Sequence, residues 1–433
     1  MALGPGPQPS GPHPDQRLMM RRMARVDRKT GAGSAGPISQ ARLLHFAGTD
    51  LVVRLDNAPG VQRALAQAVR GWPMGGPVRP EARETRVTGT RSGYATRSVY
   101  LDEPIEGLGL AGAACAVIAD LAQDYFETRP GCLALHCAAF RFNGRLIAMT
   151  GPSRAGKSTL AARLTQEPDC ELFCDDVLPM PQDGLAVALG IAPRLRLPLP
   201  ETASAAFRAH VARHLGPRDD RYGYLCAPTV APHGTSAPLG ILLVLDRRAG
   251  APARLHDVAE DEALHLLLSQ NMSDLQTAEA AFARLSGLLA AITCLRLVYS
   301  DLEEAIALIR RAFGGAAPVA EGVGIGPALP AALPDRLAQA DLSPDICWAR
   351  DGDVVIQHRQ DSAFLWQPGK PMIWHMNRLG QAVWTLLEIP GSAREIGALL
   401  HEHFPDKDAS DLVSDVNALL HALAQDGLIE RKG

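Results

Sequence analysis

Gly151-Pro152-Ser153-Arg154-Ala155-Gly156-Lys157-Ser158-Thr159 fits the pattern G-x-x-x-x-G-K-[ST] without a substitution. Ahead of it, Leu146-Ile147-Ala148-Met149-Thr150 is an apolar run of strand length, and Ser158 to Leu164 reads as a helix start. Strand, glycine loop and helix in that order predict a loop that cradles phosphate. With 40 Gly, 5 Lys and 34 Ser plus Thr in 433 residues, only about 0.003 accidental matches are expected, before the flanking strand and helix are required.

Each position has a physical task. The glycines let successive N–H groups converge on a phosphate, and the helix that follows adds the positive end of its dipole. Lys157, the only lysine between Lys29 and Lys370, would reach the β- and γ-phosphates of ATP. The Ser158 hydroxyl is placed to ligate Mg²⁺. Gly151, Ser153, Arg154, Ala155, Gly156, Lys157, Ser158 and Thr159 are therefore the candidate nucleotide-binding residues, with Thr159 also serving as helix.

Composition sets the class. At 47% hydrophobic and 21% charged, 433 residues suffice for two or three domains with their own cores. A net charge of −4 gives no global field toward nucleic acid. No apolar run reaches eighteen residues and the N-terminus lacks a hydrophobic signal region, so the expectation is a soluble, cytoplasmic protein with no membrane segment. Eight scattered cysteines without a C-x-x-C pair read as small buried hydrophobes.

Five segments follow along the chain. Residues 1–40 are rich in Pro, Gly, Ser and Arg; through His45, seven Lys/Arg against two Asp give +5, the pattern of a disordered tail, an arm for an acidic partner, or sequence ahead of a start at Met19, Met20 or Met23. Residues 41–128 read as a small α+β lobe with a long apolar helix from Gly109 to Tyr125. Residues 129–314 read as an α/β nucleotide domain, with strands at 133–142, 145–150, 171–174 and 241–245, and helices near 158–166, 201–215, 259–271, 274–291 and 302–312. Residues 315–341 read as a Gly/Ala/Pro linker with few groups to lock domains together, so a cut there is expected to leave two folded pieces. Residues 342–433 read as a compact α+β module.

Glu171-Leu172-Phe173-Cys174-Asp175-Asp176-Val177 puts two carboxylates at the end of a predicted strand, the edge where open α/β sheets place ligands. Phosphoryl transfer needs one acid to hold Mg²⁺ and one to orient or deprotonate the attacking hydroxyl. Adjacent strand residues point to opposite faces, so both acids serve one site only if the chain turns there. A solvated turn is the plain alternative.

Leu135-His136-Cys137-Ala138-Ala139, Gly151 to Thr159, and Cys174-Asp175-Asp176-Val177 together resemble three blocks of the HPr kinase/phosphorylase family and its HPr-kinase-related offshoots, across about residues 130–250. The resemblance implies an ATP- and Mg²⁺-dependent kinase. In it Lys157 contacts phosphate, Ser158 and Asp176 hold the metal, Asp175 is the base and His136 lies near the transferring phosphate; the division of roles between the two acids stays open. It also implies a homo-oligomer. The chain departs from the family at Arg154, where a loop glycine is usual, and at Thr159, where HPr kinases have an acid and the offshoots do not. Arg194 and Arg196 read as surface arginines, with a phosphate clamp as the alternative.

In the last segment Asn377 caps a helix with apolar Leu379, Val383, Leu386 and Leu387; Ile396, Leu399 and Leu400 mark a second, and Val413, Val416, Leu419, Leu420 and Leu423 a third. Short strands lie ahead at Val354-Val355-Ile356 and Ala363-Phe364-Leu365-Trp366. Trp384, Leu387 and Leu419 are expected in its core. Asn377, Gly380, Trp384, Phe404 and Asp426-Gly427-Leu428-Ile429 in this order resemble the PqqD family, which implies a winged-helix-like domain that binds a leader peptide along a sheet edge. From Asp341 on, eight Lys/Arg face fourteen Asp/Glu, a net of −6 that disfavours DNA or RNA. The combined expectation is a kinase acting on a precursor peptide, with a nucleotide-gated peptide chaperone or a small-metabolite kinase as alternatives.

Overall fold

The computed structural model describes residues 41–75, 82–152, 155–315, 317–330, 343–405 and 407–432, and the backbone of Gln8–Pro9. Nearly all of the tail, and residues 316 and 331–341 of the predicted linker, lie outside these residues.

The first lobe contains β1 (Arg42–His45), β2 (Leu51–Asp56), α1 (Pro59–Ala68), β3 (Arg83–Thr90), β4 (Gly93–Arg97), β5 (Ile105–Leu108) and α2 (Leu110–Glu127). Its sheet runs β1-β2-β3-β4-β5, and α1 and α2 share a core with it through Val53, Leu65, Val117 and Leu121. On the polar side of α2, the Asp120 carboxylate accepts from the Thr85 and Ser98 hydroxyls, both buried.

The central α/β domain is built on β6 (Ala138–Phe142), β7 (Arg145–Thr150), β8 (Cys170–Cys174), β9 (Leu185–Val187), β10 (Ser236–Arg247), β11 (Arg254–Asp257), β12 (Thr293–Tyr299) and β13 (Ile325–Gly326), in the order β8-β6-β7-β10-β12-β11-β13, with β9 against β10. β7, β10 and β12 are parallel neighbours. Both faces are covered, as the apolar run at 146–150 requires: Leu146 and Ala148 enter one core while Ile147 and Met149 enter the other. On the second face lie α3 (Lys157–Leu164) and α6 (Leu302–Phe313). On the first lie α4 (Glu260–Gln270) and α5 (Ala278–Ala291). β12 was not foreseen, because the sequence reading assigned only helices between 274 and 312. Buried Arg296 interrupts its apolar run, held there by Asp246 and Glu262.

The last segment has β14 (Val355–Arg359), β15 (Ser362–Trp366) and β16 (Trp374–Met376), paired in that order, followed by α7 (Arg378–Leu386), α8 (Ala393–His403) and α9 (Ala409–Gln425). Asn377 caps α7 by accepting from Gly380 N–H at 2.9 Å, and Trp384, Leu387 and Leu419 are buried as expected. β16 is a strand that the sequence reading did not mark. Whatever the linker contributes, the module is held to the nucleotide domain by the face of its sheet. Ala363, Leu365, Trp374 and Met376 turn toward its own helices, whereas Phe364, Trp366 and Ile373 join the core of α4 and α5. The sequence expectation concerned the linker, with few groups to lock the domains together; the contact between them is made by this sheet face. The eight cysteines are all free, five of them buried. Among the described residues no helix is long and apolar enough to cross a membrane.

Candidate functional site

The glycine loop that carries Lys157 begins where β7 ends. Gly151 and Gly156 adopt φ of 148° and 97°, a region that L side chains avoid. Space is closed there as well: a Cβ on Gly151 would stand 2.7 Å from the Leu245 carbonyl oxygen, and one on Gly156 would stand 2.4 Å from the Tyr299 hydroxyl. Gly156 is the N-cap of α3, and no side chain caps that end, so its first-turn N–H groups remain available to an anion. Ala155 closes a turn onto the Pro152 carbonyl at 3.1 Å, and Thr159 lies within α3. Ser153 and Arg154 fall outside the described residues.

Lys157 Nζ donates to the Gly151 carbonyl at 2.8 Å and to that of Pro152 at 3.4 Å. Burial lowers its pKa, while Asp176, Cys137 and Asp175 oppose that shift. The lysine and both acids thus share one electrostatic neighbourhood.

The chain bends at Asp175-Asp176 immediately after β8, which satisfies the condition for both acids to serve one site. Asp175 is 5% exposed; its Oδ2 accepts from the Arg194 backbone N–H at 3.2 Å, the Ser158 hydroxyl lies beside the same carboxyl, and its buried Oδ1 has no hydrogen-bond partner among the described residues. Burial first, and then the charge of Asp176, pushes the Asp175 carboxyl well above the ordinary carboxylate range. A buried, unpartnered carboxylate oxygen is costly unless a proton, a hydroxyl or a cation meets it. Beside it, the Ser158 hydroxyl and the Asp176 carboxylate are hard oxygen donors of the kind that could hold Mg²⁺.

His136 joins this group through Asp176 and Lys157, the charges that act on its ring; burial, the largest influence, lowers its pKa. Gln270, the last residue of α4, grips it twice: its carbonyl accepts from the His136 backbone N–H at 2.7 Å and its Oε1 lies 2.9 Å from Nδ1. With the amide oxygen facing the ring, this contact is satisfied when Nδ1 carries the proton.

Tyr299 carries no signal in the sequence, and Arg194 departs from its reading as a surface arginine. Tyr299, 2% exposed at the end of β12, donates to the Ala155 carbonyl at 2.7 Å and supports the loop from beneath. Arg194 is no surface arginine: its guanidinium lies over the Tyr222 ring at 4.6 Å, within electrostatic reach of Cys115, Tyr224 and Asp176. Arg196, two residues on, is exposed as expected. For Arg194 the only sequence signal was its place on a short strand after the acid pair.

A second feature adjoins this site from the module. The His375 ring on β16 stacks on that of His265 in α4, with centroids 4.2 Å apart and an interplanar angle of 24°. Phe364 and Trp366 on β15 pack on Phe282 of α5 at 5.4 and 5.1 Å, and Trp366 Nε1 donates to Glu279 at 3.0 Å. Ser362 bonds to buried Asp261, and the Ala278 N–H reaches the Lys370 carbonyl at 2.7 Å. Both faces of the sheet are covered, and β16 is an inner strand, with β15 on one side and Gln8–Pro9 antiparallel opposite His375 and Trp374 on the other.

Residues 363–429 match the PqqD family, described as coenzyme PQQ synthesis protein D. No curated protein matches the chain in sequence. Among solved structures, the Hpr(Ser) kinase/phosphatase from Coxiella burnetii is similar at 12% identity over 40% of this chain and 90% of that chain, with a TM-score of 0.21. The functional argument therefore rests on the residues of the site itself and on the PqqD match.

Proposed function

We propose that the protein is an ATP-dependent kinase that transfers the γ-phosphate to a hydroxyl of a ribosomally made peptide held by its PqqD-like module. The observation that carries this reading is the buried Asp175 carboxyl, whose Oδ1 has no hydrogen-bond partner among the described residues, beside the lysine and serine of a G-x-x-x-x-G-K-[ST] loop. In the proposed reaction the loop N–H groups and Lys157 bind the β- and γ-phosphates. Ser158 and Asp176 would hold Mg²⁺, which neutralises phosphate charge. Asp175 takes the proton of the attacking hydroxyl as its oxygen bonds to the γ-phosphorus and the bond to the leaving ADP breaks. Its raised pKa suits a base working near neutrality. Neutral His136 is placed to orient a phosphate oxygen or the acceptor by hydrogen bonding, without adding charge.

The peptide part of this reading is supported by the PqqD match and by the pairing of Gln8–Pro9 on β16, an extended segment held there as an added strand. The test is incubation of the full chain with Mg²⁺ and γ-labelled ATP against a serine- and threonine-containing peptide library, read by mass spectrometry and by ADP release. Labelled peptide supports transfer, and Lys157→Ala should abolish both signals. Peptides retained on the protein but never modified, with ATP bound, would replace the kinase with a nucleotide-gated peptide chaperone.

A further inference from the structure

β16 has no open side. β15 pairs along one side of it, and Gln8–Pro9 lies antiparallel along the other, Gln8 opposite His375 and Pro9 opposite Trp374. Of these two tail residues only Gln8 has a backbone N–H to give, because proline lacks one. The sequence around them, Gly4-Pro5-Gly6-Pro7-Gln8-Pro9, has a proline at every second position. Alternate residues of an extended strand turn their N–H groups to the same edge. In such a strand the donors of this stretch, those of Gly4, Gly6 and Gln8, all fall on one edge and the other edge has none. A strip of this kind pairs on one side only and ends a sheet, as prolines on edge strands do.

One side of a strand accepts one partner at a time. On the reading above that the module captures an extended peptide by strand addition at β16, we propose that the chain's own segment around Gln8–Pro9 is a built-in competitor for that place, closing β16 until a substrate peptide displaces it. The segment belongs to the same chain, so it meets β16 at a local concentration that a free peptide has to match. Only a peptide whose main-chain pairing and side-chain contacts exceed those of a proline-alternating strip takes the strand position. A tail in place about nine-tenths of the time weakens a competing peptide about tenfold. The tail thereby sets a threshold of affinity and turns away short or poorly matched peptides.

Gln8→Pro tests this on the full chain, since it removes the one donor of the paired residues and leaves the module's own sequence untouched; Gln8→Ala keeps the N–H and is the control. Hydrogen exchange at the backbone amides of Trp374, His375 and Met376 is followed without ATP, so the outcome does not depend on the transfer step. Exchange on the tail side of β16 should be about tenfold faster in Gln8→Pro than in the parent and in Gln8→Ala. A synthetic peptide of residues 1–17, added in trans to Gln8→Pro, should restore the protection, and the same peptide carrying the proline should not. In the peptide-library incubation, Gln8→Pro should retain about tenfold more peptide than the parent. Equal exchange in all three chains, or a peptide that restores no protection, overturns the tail as competitor and leaves the peptide reading standing. Faster exchange with equal retention of library peptides overturns the reading of β16 as the capture strand, and the competition with it.

Discussion

Tyr299 donates its hydroxyl to the carbonyl of Ala155 at 2.7 Å, and the same oxygen is what a Cβ on Gly156 would strike. One buried phenol thus fixes both the height of the phosphate loop and the identity of its second glycine. Tyr299→Phe leaves a buried carbonyl without its donor, a loss of about 1–3 kcal/mol. We expect nucleotide affinity to fall roughly five- to a hundredfold, as that range converts, with the main thermal transition largely retained. Calorimetric titration with a non-hydrolysable ATP analogue checks this, and unchanged affinity would show that the loop needs no support from β12.

Asp175→Asn tests the base. A positioned base contributes about 10²–10⁴-fold to rate and little to ground-state binding, so turnover should fall by that factor while ATP affinity changes little. The base works only when deprotonated, so wild-type activity rises with pH through the pKa of Asp175. Since burial and Asp176 raise that pKa, the rising limb should lie above the ordinary carboxylate range, and the residual activity of the variant should lack it. Loss of ATP and Mg²⁺ affinity instead would make Asp175 the metal ligand.

Phe282→Ala should loosen the module. The ring lies in the core shared by α5 and β15 and contacts both Phe364 and Trp366, and truncating such a residue costs about 3–5 kcal/mol. We expect calorimetry to resolve one cooperative transition in the wild type and two in the variant. For the same reason, a cut between 315 and 341 exposes Phe364, Trp366 and Phe282 to water, and the separated pieces should associate or aggregate rather than remain independent. Two monomeric, soluble pieces would show that this contact contributes little.

Asp120 should make stability depend on pH in a definite direction. Burial is the main cause that pushes its carboxyl from 3.8 to about 6, against the hydroxyls of Thr85 and Ser98. Because the folded pKa is the higher one, the stabilising effect is fully present below the unfolded value and is lost as pH rises through about 6. Asp120→Asn removes this dependence. Relative to wild type, its unfolding free energy should gain by up to about 3 kcal/mol between pH 4 and pH 8; denaturant titrations at the two pH values measure the difference.

The phosphate loop and the acid pair were legible because each is a contiguous string whose chemistry dictates its residues. Asn377 and the apolar stripes of the three final helices were legible because helical period and caps are local signals. Gln270, Tyr299 and Arg194 were not, since each acquires its role from a partner distant in sequence: 134 residues for Gln270 and His136, and 144 for Tyr299 and Ala155. β12 stayed hidden because Arg296 looks like an exposed charge until Asp246 and Glu262 are brought to it. The face of β15 was unreadable for a related reason. Ala363 to Trp366 is apolar at every position, which tells that both faces are buried but not which neighbours bury them.

A sheet whose two faces belong to two different cores is not portable. Residues 343–432 transplanted onto another enzyme would bring the inner half of their packing and leave the outer half, Phe364, Trp366 and His375, without α4 and α5 beneath it. A graft that works would have to carry those two helices as well. Substitutions on the outer face of β15 and β16 are correspondingly expected to occur in company with changes at His265 and Phe282, so that the module and the domain beneath it change as a single inherited unit.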